Sequence, residues 1–508
     1  MWTQEGLLEL TQEKLRGYKF ILVSNREPYM HRHTGNRIEC VEPASGLAAA
    51  LNPIMRTCGG TWVAHGNGSA DRKVVDEHGR VAVPPEAPRF TLRRVWLDKQ
   101  QEERYYYGLA NQGLWPLCHI VFTRPVFRPE DWRAYREVNE IFARAVLEEA
   151  GDGPAFVFVQ DFHFALLPRI LKERNPNLII AHFWHIPWPN PEVLRGFPWK
   201  EELLNGLLGN DLLGFHLRFH CQNFLDTVDR ILEARVDRER YEITRGGRLT
   251  AVRPFPISVD FAEHDGRAQS AENDREMAQW RERLKLNGEF VGVGIDRLDY
   301  TKGICERLRA LDRFLEEYPG HRGRFVFVQV GVPSRSSIRE YQLLETEVDR
   351  LVRQINRKYR KWPGRGWRPI IYLKERFAQA RLTALHRLAN FCMVSSLHDG
   401  MNLVSKEFVA SRADGDGVLI LSDFAGSSRE LSDAIVVNPF SLEENVEAIR
   451  QALEMPEEER RRRMQKMRAV VAENNVYRWA GKIIGALLKF EFAAAGEAQV
   501  AASDASSY

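Results

Sequence analysis

Nothing in this sequence marks it for a membrane, an oxidising compartment or a polyanion. The six cysteines (Cys40, Cys58, Cys118, Cys221, Cys305 and Cys392) are scattered and form no C-x-x-C pair. That excludes a zinc ribbon or a disulfide framework and leaves free thiols in a reducing compartment as the expectation. Net charge is also scarce: 72 Lys and Arg stand against 69 Asp and Glu, a formal charge of +3. So balanced a chain offers no electrostatic argument for nucleic acid or an acidic membrane surface as a partner. No apolar run approaches the roughly 20 residues that a spanning helix needs. The opening MWTQEGLLELTQEKLRGYK has early acidic residues and no continuous apolar core, so it does not read as a signal peptide. No repeat of solenoid period is visible. A cytoplasmic enzyme is the resulting expectation.

What is present is a recurring alternation. At 508 residues the chain is too long for one ordinary core, which predicts two or three domains. In the first half, strand-like runs begin at Phe20, Thr61, Ala155, Leu178 and Asp211; in the second, at Phe290, Arg324, Pro369, Phe391, Gly417 and Ala434. Helical patterns lie between many of them, such as the stretch from Pro129 with proline at its first turn and the one from Ser336. Continuous Val/Ile/Leu strands alternating with helices predict parallel sheets covered on both faces. The fold class is therefore α/β with two doubly wound domains. We place the first at residues 1–254 and the second at 255–475. A last helix at 476–492 is expected to cross back to the first domain, and the small, polar tail 493–508 to be disordered.

In open parallel sheets, ligands bind beyond the carboxyl ends of the strands, so motifs there carry the chemistry. SNREPY ends the first strand, and Arg26 there either grips a phosphate with its planar fork of donors or is a surface arginine. Gly46 falls at a helix start, where its N–H either approaches an anion or is merely capped by Ser45. The aromatic run from Tyr105, holding Tyr106 and Trp115, reads as loop-like and forms either a wall for a sugar ring or ordinary core. Asp161, His163 and His185 follow strands. His163, His182, His185 and His216 match no standard zinc spacing. In VGVGIDRLDYTKGI, Arg297 and Lys302 put two cations at a strand–helix junction, suited to a diphosphate; the alternative is an Arg297–Asp299 ion pair. In HDGMNLVSKEFVA, Asp399 and Gly400 precede a helix whose first N–H groups, from Gly400 to Val404, point at the strand ends, and Glu407 one turn on can take two ribose hydroxyls. Asp414-Gly415-Asp416 resembles a metal-binding D-x-D but sits in a turn and is read as turn chemistry.

Taken in order, HIPWP…PWKEELL…DLLGFH, DRLDYTKG and DGMNLVSKE resemble the trehalose-6-phosphate synthase family, retaining glycosyltransferases of family 20. The resemblance runs from about Phe20 to about Phe492. It implies the GT-B architecture, two Rossmann-like domains facing a central cleft whose closure excludes water, and a transfer of glucose from UDP-glucose or GDP-glucose to glucose 6-phosphate. It implies Arg26, Tyr106, Trp115, Asp161 and Arg335 on the acceptor. It implies Gly46, Arg297, Lys302, Asp399, Gly400, Met401, Asn402, Leu403, Val404 and Glu407 on the donor. Asp161, His185, Arg297, Lys302 and Asp399 are implied at the chemistry. No cofactor or metal is expected. The expected partners are the nucleotide-sugar donor and the sugar-phosphate acceptor, with neither nucleic acid nor membrane, and a homo-oligomer is open.

Three departures fall in the acceptor-side half. Ser45-Gly46-Leu47 replaces the family's G-G-L, Trp62-Val63-Ala64-His65 its W-x-G-W, and Gln160-Asp161-Phe162-His163 its H-D-Y-H. Donor-side motifs are intact. The alternative acceptors are glycerol 3-phosphate or a cyclitol phosphate. Two further classes compete: a glycoside hydrolase with Asp161 and Asp399 as its carboxylates, and a non-catalytic regulatory homologue.

Overall fold

The computed structural model describes residues 2–42, 46–360 and 367–487. The expectations for Ser45, for residues 488–492 of the last helix and for the tail 493–508 lie outside the described residues. The chain divides into two compact units, one of Trp2–Ile257 together with the segment from Val476, the other of Ser258–Asn475.

The described residues of the first unit build a ten-stranded sheet. Its strands run in the order Arg235–Asp237, Glu242–Arg245, Arg248–Pro254, Leu212–Phe215, Ile179–Phe183, Ala155–Gln160, Lys19–Arg26, Thr61–His65, Phe90–Val95, Arg80–Val83. The middle strands are parallel and largely buried; all six residues of Ala155–Gln160 are buried, as a strand covered on both faces requires. After Lys19–Arg26 the chain adds strands first on one side, at Thr61, and later on the other, at Ala155. The direction of winding thus reverses between Lys19–Arg26 and Ala155–Gln160, whose carboxyl ends carry Arg26 and Asp161.

Where the sequence led us to expect parallel strands alone, antiparallel ones close both edges, at Arg80–Val83 and at Arg235–Asp237/Glu242–Arg245, and a separate hairpin pairs Met30–Thr34 with Arg37–Val41. These strands are short and half-exposed, so they lack the continuous apolar run that signals a central strand. A second correction concerns the aromatic run. It is helical rather than loop-like: a wide i→i+5 helix spans Glu103–Leu114 and continues into an α-helix at Trp115–His119. The extra residue per turn breaks the 3.6-residue period by which amphipathic helices are recognised. The boundary between the units lies past Pro254 because the strand's pairing continues: Phe255 N–H donates to the Phe215 carbonyl and Ile257 N–H to His216 Nδ1.

Residues 476–487 are helical and pack on this first unit. Trp479 lies against Phe158 and Phe183, and its indole N–H donates to the Phe255 carbonyl at 3.1 Å.

The second unit holds a parallel sheet in the order Ile370–Leu373, Phe325–Val332, Phe290–Arg297, Phe391–Val394, Val418–Ser422, Ile435–Val437. Its two faces bury separate cores by simple alternation. Val326, Val328 and Val330 pack on one side with Val293 and Leu419, whereas Phe325 and Phe327 pack on the other with Phe391 and Ile420. Here the winding reverses between Phe290–Arg297 and Phe391–Val394.

Candidate active site

In each unit the predicted site residues gather at the point where the winding reverses, the place where an open α/β sheet leaves a crevice. In the first unit, Arg26 leaves its strand beside the wide helix. Its Nη2 donates to the Tyr106 hydroxyl at 2.9 Å, and the guanidinium lies 5.2 Å from that ring's centroid. Tyr106 stacks on His163 at 5.7 Å and 11°. Trp115 reaches the same cluster through Phe162, at 5.8 Å. Asp161 adopts φ +72°, a left-handed conformation that a non-glycine residue keeps only when its surroundings impose it. They do: Asp161 N–H donates to the Phe183 carbonyl at 2.7 Å, its own carbonyl meets His182 Nε2 at 2.9 Å, and its Oδ1 accepts the His185 N–H at 3.2 Å. The His185 ring in turn meets Gln160 Oε1 at 2.9 Å through Nε2. Gln160, one of the departures from the family motif, thus orients the histidine at the next strand end.

Two of the histidines here, His185 and His65, are disfavoured as cations. Burial, followed by the neighbouring His216, His182 and His163, holds His185 well below the usual histidine range. His65, which pairs across the sheet with Arg26, is pushed down to about 4 by burial and then by the Arg26 charge. Gly46 is the first residue of the helix Gly46–Cys58.

In the second unit, Arg297 ends its strand and a single turn, Tyr300–Lys302, follows. Lys302 Nζ meets Asp399 Oδ2 at 2.5 Å, and the same oxygen accepts from Ser396 Oγ and Asn402 Nδ2, each at 3.3 Å. Asp399 is clamped through its backbone: its N–H donates to the Phe424 carbonyl, and its carbonyl accepts from Gly426. Asn402, at φ +85°, caps the helix Leu403–Ser411 by accepting the Ser405 N–H at 3.0 Å. Gly400 and Met401 line this turn; a Cβ on Gly426 would stand 2.0 Å from the Gly400 carbonyl oxygen. Leu403 and Val404 form the first turn of the helix, whose leading N–H groups have no partner inside the helix itself. Glu407 follows, its pKa raised by burial, against which His264, Gln379 and Arg267 pull. Asp299 takes Arg335 as its ion-pair partner at 3.0 Å, with Arg297 close enough to lower its pKa. In the D-x-D turn, Asp414 pairs with Arg412 and Asp416 with Arg460. Among the described residues no cluster of His, Cys, Asp or Glu could hold a metal ion, and no helix is long and apolar enough to cross a membrane.

One network escaped the sequence reading. Arg94, wholly buried, binds Glu27 Oε2 at 2.8 Å, Asp71 Oδ1 at 3.1 Å and His31 Nδ1 at 2.9 Å. Asp71 also accepts the N–H groups of His31 and Gly68, and Glu27 that of Asn67. A signal did exist: in FTLRRV, Arg94 shares the inward positions of Phe90 and Leu92. A charge at an inward position implies buried partners. Their identity depends on residues far along the chain.

The fold and these two strand-end clusters define an enzyme class, the GT-B glycosyltransferases. More particularly, the chain belongs to glycosyltransferase family 20, whose model matches residues 18–489. A trehalose-6-phosphate synthase of Mycolicibacterium vanbaalenii is 37% identical over 484 residues, 94% of this chain and 97% of its own. Among solved structures, the α,α-trehalose-phosphate synthase (UDP-forming) of Burkholderia xenovorans in complex with glucose-6-phosphate superposes with TM-score 0.82 at 29% identity, over 92% of this chain and 99% of its own. An E. coli structure bound with UDP-2-fluoro glucose superposes with TM-score 0.81 at 30% identity, over 92% and 99%.

Proposed function

We propose that this enzyme transfers glucose from UDP-glucose to glucose 6-phosphate with retention of configuration, forming trehalose 6-phosphate. The observation that carries the reading is the strand-end cluster of the second unit, where Lys302 rests on Asp399 and Arg297 lies at the end of the neighbouring strand. A carboxylate beside an ammonium suits a sugar that bears hydroxyls on one side and a leaving diphosphate on the other. The solved relatives that carry UDP-2-fluoro glucose and glucose 6-phosphate support the two substrates.

In this mechanism the C1–O bond to the diphosphate breaks and C1 gains oxocarbenium character. Arg297 and Lys302 stabilise the charge that grows on the leaving oxygens, commonly the largest catalytic contribution. Asp399 holds donor hydroxyls. Leu403, Val404 and Glu407 serve the nucleotide, and the backbone at Gly46, Gly400, Met401 and Asn402 the donor sugar and phosphates. Arg26, Tyr106, Trp115 and Arg335 hold the acceptor phosphate, while Asp161 and His185 border the reacting sugars. The acceptor hydroxyl attacks from the face the diphosphate leaves, and a leaving phosphate oxygen takes its proton. Fixed cations supply the charge stabilisation, so the mechanism needs no divalent metal.

A second reading keeps the donor chemistry and changes the acceptor to glycerol 3-phosphate or a cyclitol phosphate. It is favoured by His65, which sits beside Arg26 where the family motif has tryptophan. The test is an acceptor screen with UDP-glucose and GDP-glucose, following nucleoside diphosphate release. Release dependent on glucose 6-phosphate, with a non-reducing disaccharide phosphate as product, is expected. Release with another phosphate alone would transfer the assignment to the second reading.

A further inference from the structure

Asp299 lies between two groups that the proposed function assigns to different substrates. It is wholly buried, and its two oxygens take different partners. Oδ1 accepts from Thr301, through the backbone N–H at 3.0 Å and the hydroxyl at 2.9 Å. Thr301 belongs to the turn Tyr300–Lys302, so this oxygen holds the turn that carries the Lys302 ammonium to Asp399. Oδ2 accepts from Arg335 Nη1 at 3.0 Å and from the Tyr341 hydroxyl at 3.2 Å. The Arg335 guanidinium also donates to that hydroxyl. Arg335 itself stands at φ +50°, in the left-handed region, where a non-glycine residue stays only if its contacts hold it.

We infer that Asp299 is a positioning residue that sets the donor-side lysine and the acceptor-side arginine in a fixed register, one carboxylate oxygen to each. The inference rests on the proposed assignment of Lys302 to the donor diphosphate and Arg335 to the acceptor phosphate. Its physical basis is rigidity. A buried carboxylate with both oxygens saturated cannot rotate without leaving a buried donor unpaired, which is costly. Two cations referred to one such group cannot drift apart, and transfer between two bound sugars tolerates little misplacement. The charge state fits: burial opposes ionisation, but Arg335, Arg297 and Lys302 outweigh it and hold the Asp299 pKa below the usual carboxylate range.

The two oxygens make separable demands, which gives the test. Asp299→Asn keeps an acceptor for Thr301 but turns an amide NH2 toward Arg335, placing donor against donor. Thr301→Val removes the hydroxyl donor from the other oxygen only. Steady-state kinetics use the full-length enzyme, UDP-glucose and whichever phosphate acceptor the wild type accepts, with thermal unfolding as a check on folding. Asp299→Asn is expected to raise the acceptor KM roughly tenfold or more while moving the donor KM less than about threefold. Thr301→Val is expected to show the opposite bias. Arg335→Ala runs in parallel. If it leaves the acceptor KM unchanged, the acceptor assignment of Arg335 fails and the inference with it. If it raises that KM while a folded Asp299→Asn moves both KM values alike or neither, the assignment stands and the positioning role is overturned.

Discussion

At the residue scale, the molecule places charge in its interior and neutralises it locally. Glu27 and Asp71 are both buried against Arg94, and each shifts the other's titration, in opposite directions. Glu27 is pushed up to about 8, mainly by burial and then by its hydrogen bond to Asp71. For Asp71 burial opposes ionisation, yet hydrogen bonds from His31 and Glu27 and the Arg94 charge hold it at about 2. An acid whose pKa rises on folding binds its proton more tightly when folded. Its contribution to stability is complete below its unfolded value of 4.5 and declines as pH climbs toward 8. Glu27→Gln, uncharged throughout, should therefore gain on the wild type between about pH 5 and pH 8.5 in urea midpoint. Parallel pH dependences would mean that Glu27 is ionised in the folded enzyme. Arg94→Met strands the remaining carboxylate and should cost about 3–5 kcal/mol in chemical denaturation. On the proposed mechanism, Lys302→Ala removes one stabiliser of the leaving diphosphate. A fall in kcat of about 10²–10³ is expected, and a kcat within a factor of a few of wild type would exclude Lys302 from the chemistry.

At the element scale, the decisive pieces are short turns that aim side chains. Gly303, at φ +61°, joins the Lys302 turn to the helix Ile304–Glu317, and a Cβ there would stand 2.0 Å from the Ser395 carbonyl oxygen. Gly303→Ala meets both a backbone clash and a disfavoured dihedral. It should raise the donor KM and lower thermal stability together, whereas Gly320→Ala, with open space around its Cβ, should do neither. The wide helix is another such piece. Tyr106 and Trp115 belong to two joined helical segments, yet the run reads as irregular because Gly108 and Gly113 interrupt it and its period is not 3.6. Gly108 has its own constraint, since a Cβ would stand 2.6 Å from the Asp131 carboxylate.

At the scale of the whole molecule, the first unit is completed by the far end of the chain. Trp479, 3% exposed, fills a site between Phe158 and Phe183. A chain ending at Asn475 leaves that apolar site open, so its first unit should lose cooperative unfolding. Ser258–Asn475 alone should keep it, because its two cores draw on that segment only. A truncated chain with an unchanged melting profile would show that the helix is dispensable.

What the sequence determined by itself was whatever depends on local pattern: the two series of continuous apolar strands, the helices between them, and the strand-end positions of Arg26, Asp161, Arg297 and Asp399. Burial on both faces of a parallel sheet writes that pattern directly into composition. Only tertiary structure decided the edge strands, the wide helix, the fitting of Trp479 onto the first unit, and the partners of each charge. Lys302 and Asp399 are 97 residues apart, and Glu27 and Arg94 are 67. No local rule pairs residues at such separations; close packing selects the partners, because a buried charge without one is too costly to keep.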